Sequence, residues 1–108
     1  MMLIDYSEIV AEDYLSDDYV AGFLKLCLEE EGFDVFLVAL RDIAKVRGGM
    51  TWLAKTTGLR RESLYRSLSH GARPEFKTIY AVLKALNVTI DFAPAVNTRA
   101  EGTMAASR

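Results

Sequence analysis

A single glycine, Gly58, separates two short amphipathic segments in the middle of the chain. In the segment before it, TWLAKTT, Leu53 and the small Ala54 share one helical face. In the segment after it, RRESLYRSLS, Leu64 and Leu68 are four positions apart, so both point inward when the segment is helical. Glycine readily adopts the left-handed conformation that a tight turn needs. The pattern therefore predicts two short helices that cross closely at a turn.

Further glycines and Asn87 divide the rest of the chain into three more helical patterns. The first runs from about Asp17 to Glu31, the second from Phe33 to about Val46, and the third from Phe76 to Leu86. Thr51 is expected to be the N-cap of TWLAKTT, and Asn87 to end the third pattern in the left-handed conformation. Apolar residues recur every three or four positions in these patterns and are expected to face the core. They are Val20, Phe23, Leu24, Cys27 and Leu28; Phe33, Phe36, Leu37, Leu40, Ile43 and Ala44; and Phe76, Ile79, Tyr80, Val82, Leu83 and Leu86.

A different pattern follows the last helix, because Val88–Phe92 alternates apolar and polar residues and is rich in β-branched ones. This alternation predicts one short strand. A strand needs a hydrogen-bonded neighbour, which could be Met2–Ile4 or the same strand of a second subunit. The residues after Pro94 show no periodicity and are expected to be flexible. The expected fold is mainly α, with an acidic segment at 1–16, a helical domain at 17–92 that includes the strand, and a flexible tail at 93–108.

The net charge of -2 conceals a strong segregation of charge along the chain. Residues 1–36 hold ten acids and one base, whereas residues 37–108 hold five acids and twelve bases, which makes -9 against +7. The basic part suits phosphates, and the acidic part suits a basic protein. The alternative is that both parts are simply solvated surfaces.

Several function classes are disfavoured by residues that the chain lacks. With one cysteine, Cys27, and one histidine, His70, we expect no metal site, and we expect no cofactor. No nucleophile is paired with a base and no glycine loop could cradle a phosphate, so we do not expect an enzyme. No apolar run is long enough for a membrane span, and the N-terminus carries acids where a secretory signal carries bases. We therefore expect a cytoplasmic protein without a membrane partner.

About half of the chain, from Ala39 to Val88, carries the most distinctive residues: Gly58, Leu59, Arg61 to Tyr65, Leu68, Ser69, Pro74, Phe76, Thr78 and Val82 to Leu86. In these residues the chain closely resembles the probable addiction-module antidote proteins, HigA-like antitoxins with a phage-repressor-like helix-turn-helix. The resemblance implies a repressor-like five-helix domain, a small basic RelE-like ribonuclease toxin as partner, and repression of the protein's own operon. Arg60 departs from the family pattern, which tends to place a capping Ser or Asn there, and Asn87 replaces a common Gly. Ser67 occupies a position that is often apolar in such motifs, and Leu68 is expected to make the core contact instead.

The resemblance also implies that the second helix of the motif lies in the major groove of DNA. Arginine pairs bidentately with guanine and glutamate accepts from cytosine, so the first candidates for base reading are Arg61, Glu62 and Arg66, followed by Ser63 and Tyr65. The candidates for contacts to the DNA backbone are Thr51, Lys55, Arg60 and Arg73.

A homodimer is expected, because operators of this kind are usually inverted repeats that twofold dimers read. Two alternatives stay open at this point. The chain could be a phage-type transcriptional repressor with no toxin, or a protein-only adaptor that keeps the fold without binding DNA, as the acidic pI of about 5.4 would suit.

Overall fold

The structure, a computed structural model, describes residues 11–96. Within this range it contains helices and no strand, so the predicted mainly α class is confirmed. None of the helices in this range is both long and apolar enough to cross a membrane. The elements are a 3-10 turn at Ala11–Leu15, α1 at Asp17–Leu26, a π-helical turn at Cys27–Glu31, α2 at Phe33–Arg47, α3 at Gly49–Thr57, α4 at Arg61–Ser67 and α5 at Phe76–Ala85.

Helix α1 begins at a serine cap and ends in a wider turn. The backbone N–H of Tyr19 donates to Ser16 Oγ at 3.2 Å, which satisfies one N–H group that the start of a helix leaves without a partner. At the other end the N–H of Gly32 donates to the carbonyl of Cys27 at 2.8 Å, an i→i+5 bond. A π turn holds more residues than an α turn, so the spacing rule fails beyond Cys27. The prediction that Leu28 is buried is therefore wrong, and its side chain is 46% exposed.

Helix α2 is the central helix of the core. Its predicted inward face is confirmed from Phe36 onward, and Leu37, Leu40 and Ile43 are completely buried. Phe33 is the exception to the prediction, since it is 40% exposed and stacks on Phe36 with ring centroids 6.0 Å apart. Phe33 is the first residue of the helix, where the chain has only just reached the core.

Helix α5 ends at Asn87, as predicted. Asn87 has a left-handed φ of 64°, and the N–H groups of Asn87 and Val88 donate to the carbonyls of Lys84 and Leu83 at 3.0 and 2.9 Å. This pair of bonds is a Schellman motif, in which asparagine replaces the usual glycine. The prediction that Phe76 and Tyr80 belong to the core is wrong. These residues are 67% and 46% exposed, because they lie on a stripe of α5 beside the buried one and stack on each other there.

The predicted strand at Val88–Phe92 is not seen in the described chain. A β-ladder needs two hydrogen-bonded segments, and within residues 11–96 no segment bonds to the backbone of residues 89–92. Instead, Val88 and Ile90 pack against the edge of the core. Met2–Ile4, one of the two expected partners, and the tail from residue 97 onward lie outside the described residues.

Arg47, the last residue of α2, joins the 3-10 turn before α1 to the C-terminal end of α5. Its Nε donates to the carbonyl of Tyr14 at 2.7 Å, and its Nη1 donates to the carbonyl of Leu86 at 3.1 Å. Its Nη2 lies 2.9 Å from Asp17 Oδ1, and Asn87 Nδ2 donates to Asp17 Oδ2 at 2.7 Å. The Asn87 hydrogen bond, aided by Arg47 and opposed by desolvation, holds the pKa of Asp17 below its ordinary value. We call these five residues the Arg47 clasp.

Candidate nucleic-acid interface

Helix α3 begins three residues earlier than predicted. The N–H of Gly48 closes α2 by donating to the carbonyl of Ala44 at 3.1 Å, and α3 follows directly at Gly49, which has a φ of 93°. This break lets the buried Met50 belong to α3. The prediction that Thr51 is the N-cap is therefore wrong, because Gly48 takes that position. Thr51 is instead an exposed residue in the first turn of α3.

The turn between α3 and α4 has the conformation that the sequence predicts at Gly58. This residue has a left-handed φ of 77°, and its N–H donates to the carbonyl of Ala54 at 2.9 Å. The hydroxyl of Thr57 donates to the carbonyl of Leu53 at 2.7 Å and accepts from the N–H of Leu59 at 3.3 Å. The bridging role of the Thr57 hydroxyl was not predicted. A threonine directly before a turn glycine was the available signal.

Helix α4 stands on two fully buried leucines, Leu64 and Leu68, as predicted. Leu68 makes the core contact that Ser67 does not, since Ser67 is only half-buried. Arg60 is the N-cap residue of α4, and its side chain makes no capping hydrogen bond. The candidate residues Arg61, Glu62, Tyr65 and Arg66 are exposed along the helix, and Ser63 is half-buried.

The exposed side chains of α4 contact one another in two pairs. The guanidinium of Arg61 lies 5.5 Å from the ring centroid of Tyr65. One Nη of Arg66 lies 3.5 Å from Ser63 Oγ. Contacts of this kind at an exposed site contribute about 1 kcal/mol or less. Both arginines can therefore leave their neighbours at small cost.

The loop after α4 is held to α2 by Asp34, which was not among the predicted site residues. The carboxylate of Asp34 accepts from the N–H of Gly71 at 3.2 Å, and its other oxygen lies 3.9 Å from His70 Nδ1. Nothing in the local sequence around Asp34 points to a contact with a loop almost forty residues away. The loop carries Arg73, which lines an open groove of about 510 Å³ together with Arg66.

The structure thus brings some of the candidate residues together and leaves others apart. Arg61, Glu62 and Arg66 share one short helix, and Arg73 shares a groove with Arg66. Lys55 and Thr51 are exposed on the neighbouring helix, α3. From residue 51 to residue 74 the chain has five basic residues and one acid, so this region has a net positive charge. No cluster within residues 11–96 has the three or more side chains that could hold a metal ion.

The comparisons with known proteins show the family to which the chain belongs. The model of a family described as "Probable addiction module antidote protein" matches residues 5–94. An uncharacterized protein of Haemophilus influenzae is 39% identical over 79 residues, which cover 73% of this chain and 80% of that protein. No solved structure matches the chain. Because the family model covers most of the sequence, the chain belongs to the family of probable addiction module antidote proteins.

Proposed function

We propose that the chain is the antitoxin of a toxin–antitoxin module and that it represses its own operon. In this proposal α3 and α4 form a DNA-binding helix-turn-helix, and the chain acts as a homodimer on double-stranded operator DNA. Its protein partner is a small basic RelE-like ribonuclease toxin, which it neutralises. It works in the cytoplasm, without a cofactor and without catalysing a reaction itself.

The observation that carries the DNA-binding part is the surface of α4. Two buried leucines, Leu64 and Leu68, anchor one side of this helix, and the opposite side exposes Arg61, Glu62 and Arg66. An α-helix with its side chains is about 10 to 12 Å in diameter, so it fits a major groove about 12 Å wide. Helix α4 follows a turn at Gly58 directly, and this order supports its proposed role as the second helix of a helix-turn-helix.

Base reading is assigned to side chains that can reach outward from α4. Arg61 and Arg66 can each pair with a guanine, and Glu62 can accept from the amino group of a cytosine. Tyr65 and Ser63 now contact the two arginines, so they are positioned to orient them as well as to touch bases themselves.

Contacts to the DNA backbone are assigned to the residues around α4. Arg60 extends from the N-terminal end of α4, and Arg73 from the groove beside its C-terminal end. Lys55 and Thr51 are the candidates on α3. A hydroxyl in the first turn of α3 lies close to the positive end of the helix dipole, which favours a phosphate even though Thr51 does not cap the helix.

The toxin-binding part rests on the family and on the acidic region at 1–36. Within the described residues Glu12, Asp18, Glu29 and Glu30 are exposed in this region. A ribonuclease that holds RNA needs a basic surface, and such a surface is complementary to these carboxylates.

The DNA-binding part can be tested with the protein's own promoter and a scrambled duplex, by fluorescence anisotropy at two salt concentrations. We expect Arg66→Ala to weaken promoter binding about tenfold or more while changing scrambled binding less, since a good bidentate contact discriminates by about 1 to 3 kcal/mol. We expect Arg73→Ala to weaken both and to reduce the salt dependence. The matched control is Lys77→Ala, which removes a cation that is 84% exposed on α5.

One result would remove the DNA-binding proposal. If the triple alanine variant of Arg61, Glu62 and Arg66 keeps its helical circular dichroism and binds the promoter as tightly as the unmodified chain, α4 is not the reading helix. If the unmodified chain binds neither duplex at either salt concentration, it is a protein-only adaptor.

The antitoxin part can be tested by co-expression with the gene adjacent to the one that encodes this chain. We expect the adjacent gene alone to stop growth and co-expression to restore it. The double variant Glu29→Lys, Glu30→Lys should restore growth less well, whereas Glu75→Lys, an exposed acid outside the acidic region, should act like the unmodified chain. An adjacent gene that does not affect growth would leave a transcriptional repressor without a toxin.

A further inference from the structure

Helix α5 exposes an aromatic surface that the proposed function does not use. Phe76 and Tyr80 stack with ring centroids 6.3 Å apart, and Lys84 Nζ lies 5.5 Å from the centroid of the Tyr80 ring. A groove of about 270 Å³ then runs between Tyr80, Lys84 and the chain at residues 88–90. These contacts make the outer side of α5 and the segment after it one continuous surface, which we call the α5 surface.

The segment Val88–Phe92 forms the rim of the α5 surface. It has no helix, turn or bend, and its side chains alternate, with Val88 and Ile90 half-buried and Thr89 and Asp91 exposed. A period of two is that of an extended chain. Phe92 continues the apolar side but extends past the core, where it is 86% exposed. Within residues 11–96, no hydrogen bond engages the backbone of residues 89–92.

We propose that the α5 surface is the interface between two copies of this chain, and that the two segments at 88–92 pair there antiparallel about a twofold axis through Ile90. This register places Ile90 opposite Ile90 and Val88 opposite Phe92 on one side of the pair. It places Thr89 opposite Asp91 on the other side. A register shifted to centre on Asp91 would put two carboxylates directly opposite each other, which is unfavourable.

The charges of the α5 surface are complementary in the same arrangement. Thr89 and Lys84 line the same groove, so the residue opposite Thr89 comes next to the Lys84 ammonium. In the pair that is centred on Ile90 this residue is Asp91 of the second copy. Twofold symmetry repeats the contact, which gives two Lys84–Asp91 ion pairs for each dimer. The aromatic side chains of Phe76, Tyr80 and Phe92 supply the exposed apolar area that a stable interface buries.

This inference rests on the homodimer of the proposed function and deepens it by assigning the interface. The pairing can be tested in protein that has not been mixed with DNA or toxin, so its outcome is separate from those of the DNA-binding and toxin tests. The test is therefore made on the full-length chain alone, by sedimentation equilibrium over a range of concentrations. The variants are Lys84→Glu, Asp91→Lys and the double variant, with Lys77→Glu as a control for charge reversal elsewhere on α5.

We expect the unmodified chain and Lys77→Glu to dimerise equally well. Each single reversal of Lys84 or Asp91 should raise the dimer dissociation constant about tenfold at low salt, which corresponds to about 1.4 kcal/mol over the two symmetric contacts. The double variant should return to within about threefold of the unmodified chain, because it restores opposite charges. Phe92→Ala, at a side chain that is 86% exposed and therefore dispensable for folding, should also weaken the dimer.

Each contrary result would overturn the inference. A chain that is monomeric at every concentration has no such interface, as when residues 88–92 pair with the N-terminal segment of the same chain. A dimer that is indifferent to Lys84→Glu, or a double variant no better than the single ones, places the dimer contact on another surface. A thermal melt of each variant checks that the fold itself is intact.

Discussion

Replacing Arg47 by methionine should destabilise the whole domain, although Arg47 lies at a helix end and is not part of the apolar core. Its side chain is only 13% exposed, and it holds the carbonyls of Tyr14 and Leu86 at 2.7 and 3.1 Å. These two carbonyls belong to the 3-10 turn before α1 and to the C-terminal end of α5, and Arg47 ties both to α2. Methionine keeps most of the apolar stem, so the substitution removes mainly the guanidinium and its hydrogen bonds.

The expected magnitude follows from these contacts. A hydrogen bond from a charged donor contributes about 1.5 to 3 kcal/mol when its partner is removed from water. Two such bonds at a mostly buried side chain, discounted because water can reach part of the site after the substitution, give a loss of about 2 to 4 kcal/mol. We add nothing for the ion pair with Asp17, because that carboxylate is half-exposed. This loss is a large fraction of the free energy of unfolding of a typical domain, which is roughly 5 to 15 kcal/mol.

The measurement is urea unfolding followed by circular dichroism and by the fluorescence of Trp52, the single tryptophan. With a slope of about 1.5 kcal/mol per molar urea, the midpoint should fall by about 1.3 to 2.7 M. Lys45→Met, at an exposed position of the same helix, is the control and should change stability by less than about 0.5 kcal/mol. Arg47→Lys keeps the charge but lacks the planar donors, so it should recover less than half of the loss. A full recovery by lysine, or a loss no greater than the control, would refute the reasoning from hydrogen-bond geometry.

Three other substitutions or conditions test the local structure. Arg60→Ser should stabilise the domain by about 1 kcal/mol, because α4 lacks a side-chain cap, and thermal melting that is unchanged or lower would contradict this. Gly58→Ala should destabilise the domain by about 1 to 2 kcal/mol, because alanine is strained at the left-handed φ of 77°. No steric clash adds to this loss, since an added Cβ meets no atom within 4 Å. A loss well above this range in urea unfolding would indicate a clash instead. The pKa of Asp17 is lowered in the folded chain, so its contribution is present above the ordinary value of 3.8 and is lost as the pH falls through the lower folded value. Acid unfolding should therefore be shallower for Asp17→Asn than for the unmodified chain, and equal profiles would be evidence against the shift.

Local signals in the sequence predicted the five α-helices that lie within residues 11–96 and the left-handed turns at Gly58 and Asn87. Apolar spacing identified Leu64 and Leu68 as the inward side of α4, and this determined which residues of α4 face out. Gly58 and Asn87 were predicted to be left-handed, and both are. These predictions succeed because helix faces and left-handed turns are properties of a few neighbouring residues, whatever the rest of the chain does.

Predictions failed where a second element decides the outcome. The start of α3 at Gly49 depends on how α2 ends, so a good capping residue at Thr51 did not become the cap. The π turn after α1 changed the face on which Leu28 lies, so Leu28 is exposed. Phe76 and Tyr80 have the apolar character and the helical spacing of core residues, but no other element packs over them and they are exposed. Apolar periodicity states which residues could be buried, whereas burial needs a neighbour that periodicity does not specify.

The sequence by itself therefore determined a mainly helical chain with an exposed, charged helix after a glycine turn, because spacing and turn chemistry act over a few residues. Only the tertiary structure decided that Arg47 donates to the carbonyl oxygens of Tyr14 and Leu86, which lie 33 and 39 positions away in the sequence. It also decided that Asp34 holds the loop that carries Arg73. Contacts of this kind leave no local pattern, since each depends on where the packed helices bring distant backbone groups. The same packing leaves Phe76 and Tyr80 of α5 outside the core, on the surface that we propose as the interface with a second copy of the chain.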